Sequence, residues 1–247
     1  MISFAGIDWY VKSGNGRGPG PNDWSDTTDN VEVINGKLHL RMTKESDGTW
    51  HTAEVYSQQS FGNGEYRWKT NTNFENLDRN AVFGLFTYEN DQREIDVEFS
   101  RFGDANRPLG SFTRQKTESG PEVQKRFNVD LNGGFSTHLF RWGTNQIDWA
   151  SIHGHTDGPA LPGYTISEFQ YQGSDIPPNT ALDRVHMNLW LFGGNPPINP
   201  NLSEIEIIIS DFDYTPLGGN GPVPEPSSMA LMSLATLALL RRRVSRG

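Results

Sequence analysis

Arg93-Glu94-Ile95-Asp96-Val97-Glu98-Phe99 sets three carboxyl side chains at alternate positions, with apolar residues between them. In an extended strand successive side chains point to opposite faces, so Glu94, Asp96 and Glu98 share one face and Ile95, Val97 and Phe99 the other. Solvated strands ordinarily mix signs, because like charges side by side repel. At about 5.5 Å and an effective dielectric near 20, two carboxylates repel by roughly 3 kcal/mol, or about 2 pKa units. Such a row favours one proton held near neutral pH. A pair with one carboxyl charged and one protonated is what cleavage of a glycosidic bond requires: a nucleophile or base, and an acid for the leaving oxygen. Taken alone, the row also suits a solvated outer strand, so the rest of the chain has to decide.

The elements that could position such a row are short. The 26 glycines and 15 prolines among 247 residues make the chain turn often and leave little room for long helices. No window of residues 1–217 carries a sustained helical period, whereas many short runs alternate. In the clearest, Val31 to Met42, Asn35-Gly36 signals a type I′ hairpin and Leu38, Leu40 and Met42 alternate with Lys37, His39 and Arg41. Further strands are predicted near 51–58, 64–72, 81–88, 93–100, 109–116, 122–128, 137–142, 146–153, 164–170, 184–192 and 203–215. Hairpin spacing without a βαβ rhythm implies an all-β sandwich or jelly roll of two antiparallel sheets. No repeat of 20–50 residues is visible, which argues against a propeller or solenoid. The absence of cysteine excludes disulfide scaffolds, thiolate metal sites and cysteine nucleophiles. A net charge of −9 argues against nucleic acid as a partner, and a neutral substrate fits better.

Other polar residues fall into the same frame. From Val185 to Leu191, His186, Asn188 and Trp190 share a face opposite Val185, Met187, Leu189 and Leu191, which predicts a groove wall. Glu54 and Tyr56 point the same way on their strand. Bulky Phe86 and Tyr88 at alternate positions read as core. Arg93 faces away from the acids and is expected to form a salt bridge behind the strand. His138 reads as an ordered or core histidine, and His153-Gly154-His155 with Asp157 as a loop rather than a metal site. Arg17-Gly-Pro-Gly-Pro is a turn-rich opening without the Lys-Ser/Thr of a phosphate loop, and no Gly-x-Ser-x-Gly elbow is present.

Six segments in order resemble glycoside hydrolase family 16, the lichenases, laminarinases and related β-glucan enzymes: Ala53-Glu54-Val55-Tyr56-Ser57, Phe61-Gly62-Asn63-Gly64-Glu65-Tyr66, Leu85-Phe86-Thr87-Tyr88, Glu94-Ile95-Asp96-Val97-Glu98-Phe99, Ser136-Thr137-His138-Leu139-Phe140-Arg141-Trp142 and Met187-Asn188-Leu189-Trp190. The resemblance implies a concanavalin A-like jelly roll over residues 1–217 and a retaining, endo-acting glycosidase on a β-glucan or related polysaccharide. It implies Glu94 as nucleophile, Glu98 as acid/base and Asp96 as the residue that orients Glu94, with Glu54, Tyr56, Asn188 and Trp190 contacting the sugar. No cofactor is required, although a structural calcium could take oxygen ligands from Asp211 or Asp213. The motif reads as the unbulged, lichenase-like version. Gln92 stands where many relatives carry a tryptophan, so a sugar platform is missing or supplied elsewhere. On a flat strand Glu94 and Glu98 have Cα atoms about 13 Å apart, whereas retaining enzymes hold the carboxyls roughly 5–5.5 Å apart, so sheet curvature must close the gap. The expected resting state has Glu94 ionised and Glu98 protonated, because the neighbouring charges disfavour a further one. A transglycosylase on the same site, a carbohydrate-binding module without turnover and a tethered matrix protein are the alternative readings. A monomer is expected.

The C-terminus is a separate object. Residues 218–226 form a Gly/Pro linker that ends in Val223-Pro224-Glu225-Pro226; an apolar run from Ser227 to Leu240 and a basic end, Arg241, Arg242, Arg243 and Arg246, follow. As a helix the run would reach about 21 Å, short of the roughly 30 Å hydrocarbon core. The segment resembles the PEP-CTERM sorting signal of exported bacterial proteins, which implies transient membrane association through 227–247 and, after processing, a cell-surface or extracellular location. Met1-Ile-Ser-Phe-Ala-Gly6 has neither a basic nor an apolar leader region, so the true start is expected to lie upstream, with a signal peptide.

Overall fold

The computed structural model describes residues 1–217. The predicted sorting helix of 227–247 lies outside them. Seventeen strands succeed one another in the described chain: β1 (Ile2–Phe4), β2 (Ile7–Val11), β3 (Gly14–Arg17), β4 (Asn22–Trp24), β5 (Val31–Ile34), β6 (Lys37–Lys44), β7 (Trp50–Ser57), β8 (Gly64–Asn71), β9 (Ala81–Asn90), β10 (Arg93–Phe99), β11 (Gly110–Arg114), β12 (Val123–Phe127), β13 (Phe135–Trp142), β14 (Gln146–His153), β15 (Thr165–Gln172), β16 (Arg184–Leu191) and β17 (Glu204–Pro216). The expected hairpin is present, with Ile34 opposite Lys37 and both Asn35 and Gly36 at positive φ, as a type I′ turn demands. Strands β1 to β4 fall in a segment the alternation pattern leaves unread, because each is five residues or fewer and rich in turn residues.

Two antiparallel sheets pack face to face as a jelly-roll sandwich. One runs β1-β2-β7-β16-β9-β10-β11-β12 and carries the acid row. The other runs β5-β6-β17-β8-β13-β14-β15. Strand β7 belongs to both: His51 pairs with Thr43 of β6, while Ala53 to Tyr56 pair with β16. The short β3-β4 hairpin is tied to the same junction by a parallel pairing of β4 with β7. This link brings the N-terminal segment to the rim of the first sheet.

The core between the sheets fixes the register of β10. Ile95, Val97 and Phe99 are at most 1% exposed and pack with Phe83, Leu85, Phe112, Met187 and Leu189 from their own sheet and Trp68, Phe140 and Trp149 from the other. Each such side chain contributes roughly 1.5–3 kcal/mol by burial. Slipping β10 by one residue would put three carboxyls into that core, so the sandwich itself holds the acids on the outer face of the first sheet. Register runs unbroken from Glu94 to Phe99 against β9 and from Ile95 to Phe99 against β11, and the irregularity against β9 lies just ahead, between Arg93 and Glu94. The motif is therefore unbulged. The Trp149 indole, from the opposite sheet, donates to the Asp96 carbonyl at 3.1 Å and ties the site strand to the core. His138 is a core residue: fully buried between Ser136 and Ser151, at 2.9 and 3.0 Å, it is held neutral because burial lowers its pKa to about 3.

Candidate active site

Cross-strand neighbours share a face, so pairing defines the rows of the concave surface. One row runs Tyr10, Tyr56, His186, Phe86, Asp96, Thr113 and Gln124; the next runs Glu54, Asn188, Gly84, Glu98, Ser111 and Arg126. Glu94 stands on the far side of the first row, opposite Tyr88. A cavity of about 390 Å³, within the roughly 300–1,000 Å³ range of ligand sites, is lined by Glu54, Glu94, Glu98, Asn188 and Trp190 together with Lys12, Pro19, Phe86, Tyr88, Asp91 and His186. Asp96 lies beneath it, 1% exposed. Tyr56 falls outside this lining and stacks on His186 at 5.4 Å.

Glycine at position 84 is a requirement of this floor. A Cβ there would come within 2.5 Å of Asn188 Oδ1, so the acids and Asn188 can face each other only across a residue with no side chain. Asn188 Oδ1 is itself buried with no hydrogen-bond partner in the protein. A buried acceptor left open toward a cavity fits a donor brought by a ligand.

Glu54 is anchored before any ligand arrives. Its carboxylate accepts from Lys12 Nζ at 2.9 Å, pairs with His186 Nδ1 at 3.0 Å and accepts from Asn188 Nδ2 at 3.5 Å. Burial pushes its pKa up, but His186 and Lys12 outweigh burial and keep it below its ordinary value. Glu54 is both the salt-bridge residue and the cavity wall. Lys12 also donates to the Gly18 carbonyl at 2.8 Å and lies 4.1 Å from the Trp24 ring centroid, so one ammonium joins the N-terminal segment to the cleft.

The three acids are all pushed up. Burial is the largest cause at each. Glu94 rises to about 8, with the charge of Glu98 adding to burial and a hydrogen bond from Asp96 opposing it. Asp96 rises well above the ordinary carboxyl range through burial and then the charges of Glu94 and Glu98. A protonated Asp96 donates to Glu94, and its carboxyl in turn accepts from Gln115 Nε2 at 3.0 Å. Glu98 rises to about 7, burial being opposed by the cation of Arg126. This corrects the expectation for Glu98: burial, rather than its neighbours' charges, holds its proton, and a cation does face the row. Glu94 thus holds its proton about one unit more tightly than Glu98, worth roughly 1.4 kcal/mol, which reverses the expected resting state of an ionised Glu94 and a protonated Glu98. A glycosidic oxygen over Glu98 that accepts its proton would select the state with Glu94 charged.

The raised Glu94 makes a stability prediction. Below its ordinary value of 4.5 both folded and unfolded chains hold the proton; between 4.5 and about 8 the unfolded chain has released it while the folded one has not. Stability is therefore lost as pH rises through that window. Glu94→Gln removes the loss, so its unfolding free energy should match that of the native protein near pH 4 and exceed it at pH 8–9 by on the order of 2 kcal/mol once cleft water is allowed for, read by thermal or urea unfolding. An offset that stays constant from pH 4 to 9 would contradict a raised carboxyl.

The remaining sequence expectations sort by place. Phe86 and Tyr88 line the cavity instead of the core, because Phe83, Leu85 and Thr87 are the inward residues of β9. The Tyr88 hydroxyl donates to Asp91 at 2.9 Å, and its pKa is raised to about 12, first by burial. Trp190 is only 8% exposed, at the cavity edge, packed with Trp24 and Val82. Arg93 pairs with Glu89 at 2.8 Å. His153 and His155 bond to different backbone carbonyls, those of Leu131 and Thr70, and Asp157 pairs with Lys69. Asp211 lies 3.1 Å from the Lys69 ammonium and Asp213 is exposed; among the described residues no group of three His, Cys, Asp or Glu is placed to hold a metal ion. Lys12, Asp91 and Gln115 are site residues that alternation does not reveal; His186, read as groove wall, joins Glu54 directly.

Comparisons with known proteins bear on the C-terminal segment and on the fold. The PEP-CTERM protein-sorting motif matches residues 222–244. No curated protein sequence matches the chain. Among solved structures, the fold is similar to a Bacillus licheniformis β-glucanase, with a TM-score of 0.61 at 20% identity over 85% of this chain and 92% of that one. It is also similar to a prokaryotic β-1,3-1,4-glucanase (lichenase) from a mouse hindgut metagenome, with a TM-score of 0.58 at 20% identity over 85% and 93%. A LamA variant from Zobellia galactanivorans, in complex with laminaritriose and laminaritetraose, matches with a TM-score of 0.58 at 14% identity over 84% and 92%. The likeness is one of fold, that of the β-glucanase jelly roll.

Proposed function

We propose that this chain is an exported, retaining glycoside hydrolase that cleaves O-glycosyl bonds within a β-glucan or related polysaccharide. The observation that carries the reading is that Glu94 and Glu98 open into one cavity over a buried Asp96 that is hydrogen-bonded to Glu94. Cleft-facing rows continue on both sides of the acids, which favours cleavage inside a chain over removal of end residues. The fold shared with glucanases and the sorting motif at 222–244 support the substrate class and the export.

In the first step the Glu94 carboxylate attacks the anomeric carbon while Glu98 gives its proton to the glycosidic oxygen; the C–O bond breaks and a glycosyl ester forms. Esterification removes the charge of Glu94, so Glu98 loses a source of repulsion and stays ionised more readily. In the second step Glu98 takes a proton from water, the hydroxide displaces Glu94 and the product keeps its configuration. Asp96, held by Gln115, fixes the Glu94 carboxyl through both steps. Incubation of the secreted protein with lichenan, laminarin, a β-galactan and carrageenan, with the anomer of the fresh reducing end read by NMR, tests this. The expected result is a β-anomer that mutarotates later. An α-anomer would refute the retaining mechanism, and binding without any cleavage would favour a carbohydrate-binding module.

A further inference from the structure

On the far side of Glu98 from the cavity, its row continues to Ser111 on β11 and Arg126 on β12. Ser111 is fully buried and its hydroxyl has no partner; Arg126 Nη1 is likewise buried and unpartnered. The Arg126 guanidinium lies 4.9 Å from the ring centroid of Phe102, and that of Arg107 lies 5.8 Å from the same ring. Among the described residues neither forms an ion pair within 4.0 Å. The two cations feel each other: burial first and then the charge of Arg107 lower the pKa of Arg126, against the opposing charges of Glu98 and Glu122. Phe102 is held at φ +47°, a conformation that bulky residues avoid, and its N–H bonds to Ser100 Oγ at 2.9 Å. Its ring packs against the Trp24, Val82 and Trp190 cluster, whose Trp190 edges the cavity.

Two guanidiniums share one aromatic ring beside orphaned donors, and the carboxylates whose charges reach Arg126, Glu98 and Glu122, make no ion pair with it within 4.0 Å, which leaves its fork open to a ligand's anion. We propose, resting on the glycosidase reading above, that this end of the cleft binds a sugar residue carrying an anionic substituent, a sulfate ester or a uronate carboxylate, taken by Arg126 and Arg107 beside Phe102. Guanidinium forks match such oxygens in a bidentate way, and the Ser111 hydroxyl is a further donor. The net negative charge of the chain does not oppose this at contact, because the Debye length is about 8 Å at physiological ionic strength. On this proposal the preference for a neutral chain expected from overall charge reverses past Glu98.

The test compares kcat/KM of the native protein, Arg126→Gln and Arg107→Gln on unsubstituted laminarin and lichenan, a sulfated β-galactan and a uronate-bearing β-glucan. The ratio of anionic to neutral substrate should fall tenfold or more in each variant, as expected for loss of a charge-assisted hydrogen bond. Arg107 is exposed, so its variant reads the effect without disturbing the core. Which anionic polymer shows the drop identifies the substituent. An unchanged ratio, or a native protein that favours neutral chains throughout, overturns the assignment. Calorimetric binding of the same anionic oligosaccharides to Glu94→Gln, with and without Arg126→Gln, separates the two readings. Arginine-dependent binding without cleavage in the native protein would sink the hydrolase and keep this site; cleavage of neutral chains without anionic binding would do the reverse.

Discussion

Glu94→Gln is expected to lower turnover of the polymer by on the order of 10⁴-fold or more while leaving its affinity largely intact, because the amide keeps the shape of the side chain but cannot attack the anomeric carbon. Glu98→Gln should lower it by about 10²–10⁴-fold on natural substrate, the range for general acid catalysis, and by far less on an activated aryl glycoside whose leaving group needs no proton. Added azide separates the roles further. In Glu98→Ala it should take the place of water in the second step and yield a β-glycosyl azide; in Glu94→Ala it should enter from the vacated face and yield an α-glycosyl azide. Reversed azide products would exchange the two assignments. Full activity in either glutamine variant would remove the carboxylate mechanism altogether.

Asp175→Ala is expected to be the most destabilising single change near the site. Arg114 is fully buried behind the acid strand, paired across β11 with Ile95 of β10, and its guanidinium donates to Asp175 at 2.6 Å and lies 5.1 Å from the ring centroid of Tyr171. Tyr171 also donates to Asp175 at 2.6 Å. Removing the carboxylate leaves a buried cation without its counter-ion, a class of change that costs about 3–5 kcal/mol. For a domain of this size that corresponds to a drop in melting temperature of roughly 6–20 °C. Arg114→Met with Asp175→Ala should recover most of the loss, since an apolar pair of similar volume replaces the ion pair; no recovery in the double variant, measured by thermal melting, would mean that the cost is not that of an orphaned charge.

The parts of the site that alternation reveals are those for which a strand's own residues suffice. Glu94, Asp96 and Glu98 stand opposite Ile95, Val97 and Phe99, and the apolar set leaves the strand one choice of face. His186, Asn188 and Trp190 separate from Val185, Met187 and Leu189 for the same reason. Phe86 and Tyr88 could not be separated in this way, because β9 is apolar on both faces and only its pairing with β10 and β16 tells which one opens to the cleft. Arg126 and Gln115 were hidden for a different reason. Each reaches the acids through sheet neighbours, and no local period records which strands lie side by side.

The amino-acid sequence by itself determined the all-β class, the face on which the acids lie and the sorting segment at the C-terminus, since period-two patterning and composition act over a few residues. Tertiary structure alone decided what surrounds those acids. It brought Lys12 to Glu54, set Gly84 opposite Asn188 and brought the charge of Arg126 within reach of Glu98 across Ser111. Proton affinities near 7 and 8 arise from burial and from charges contributed by distant segments, and both exist only once the sheets have closed on each other.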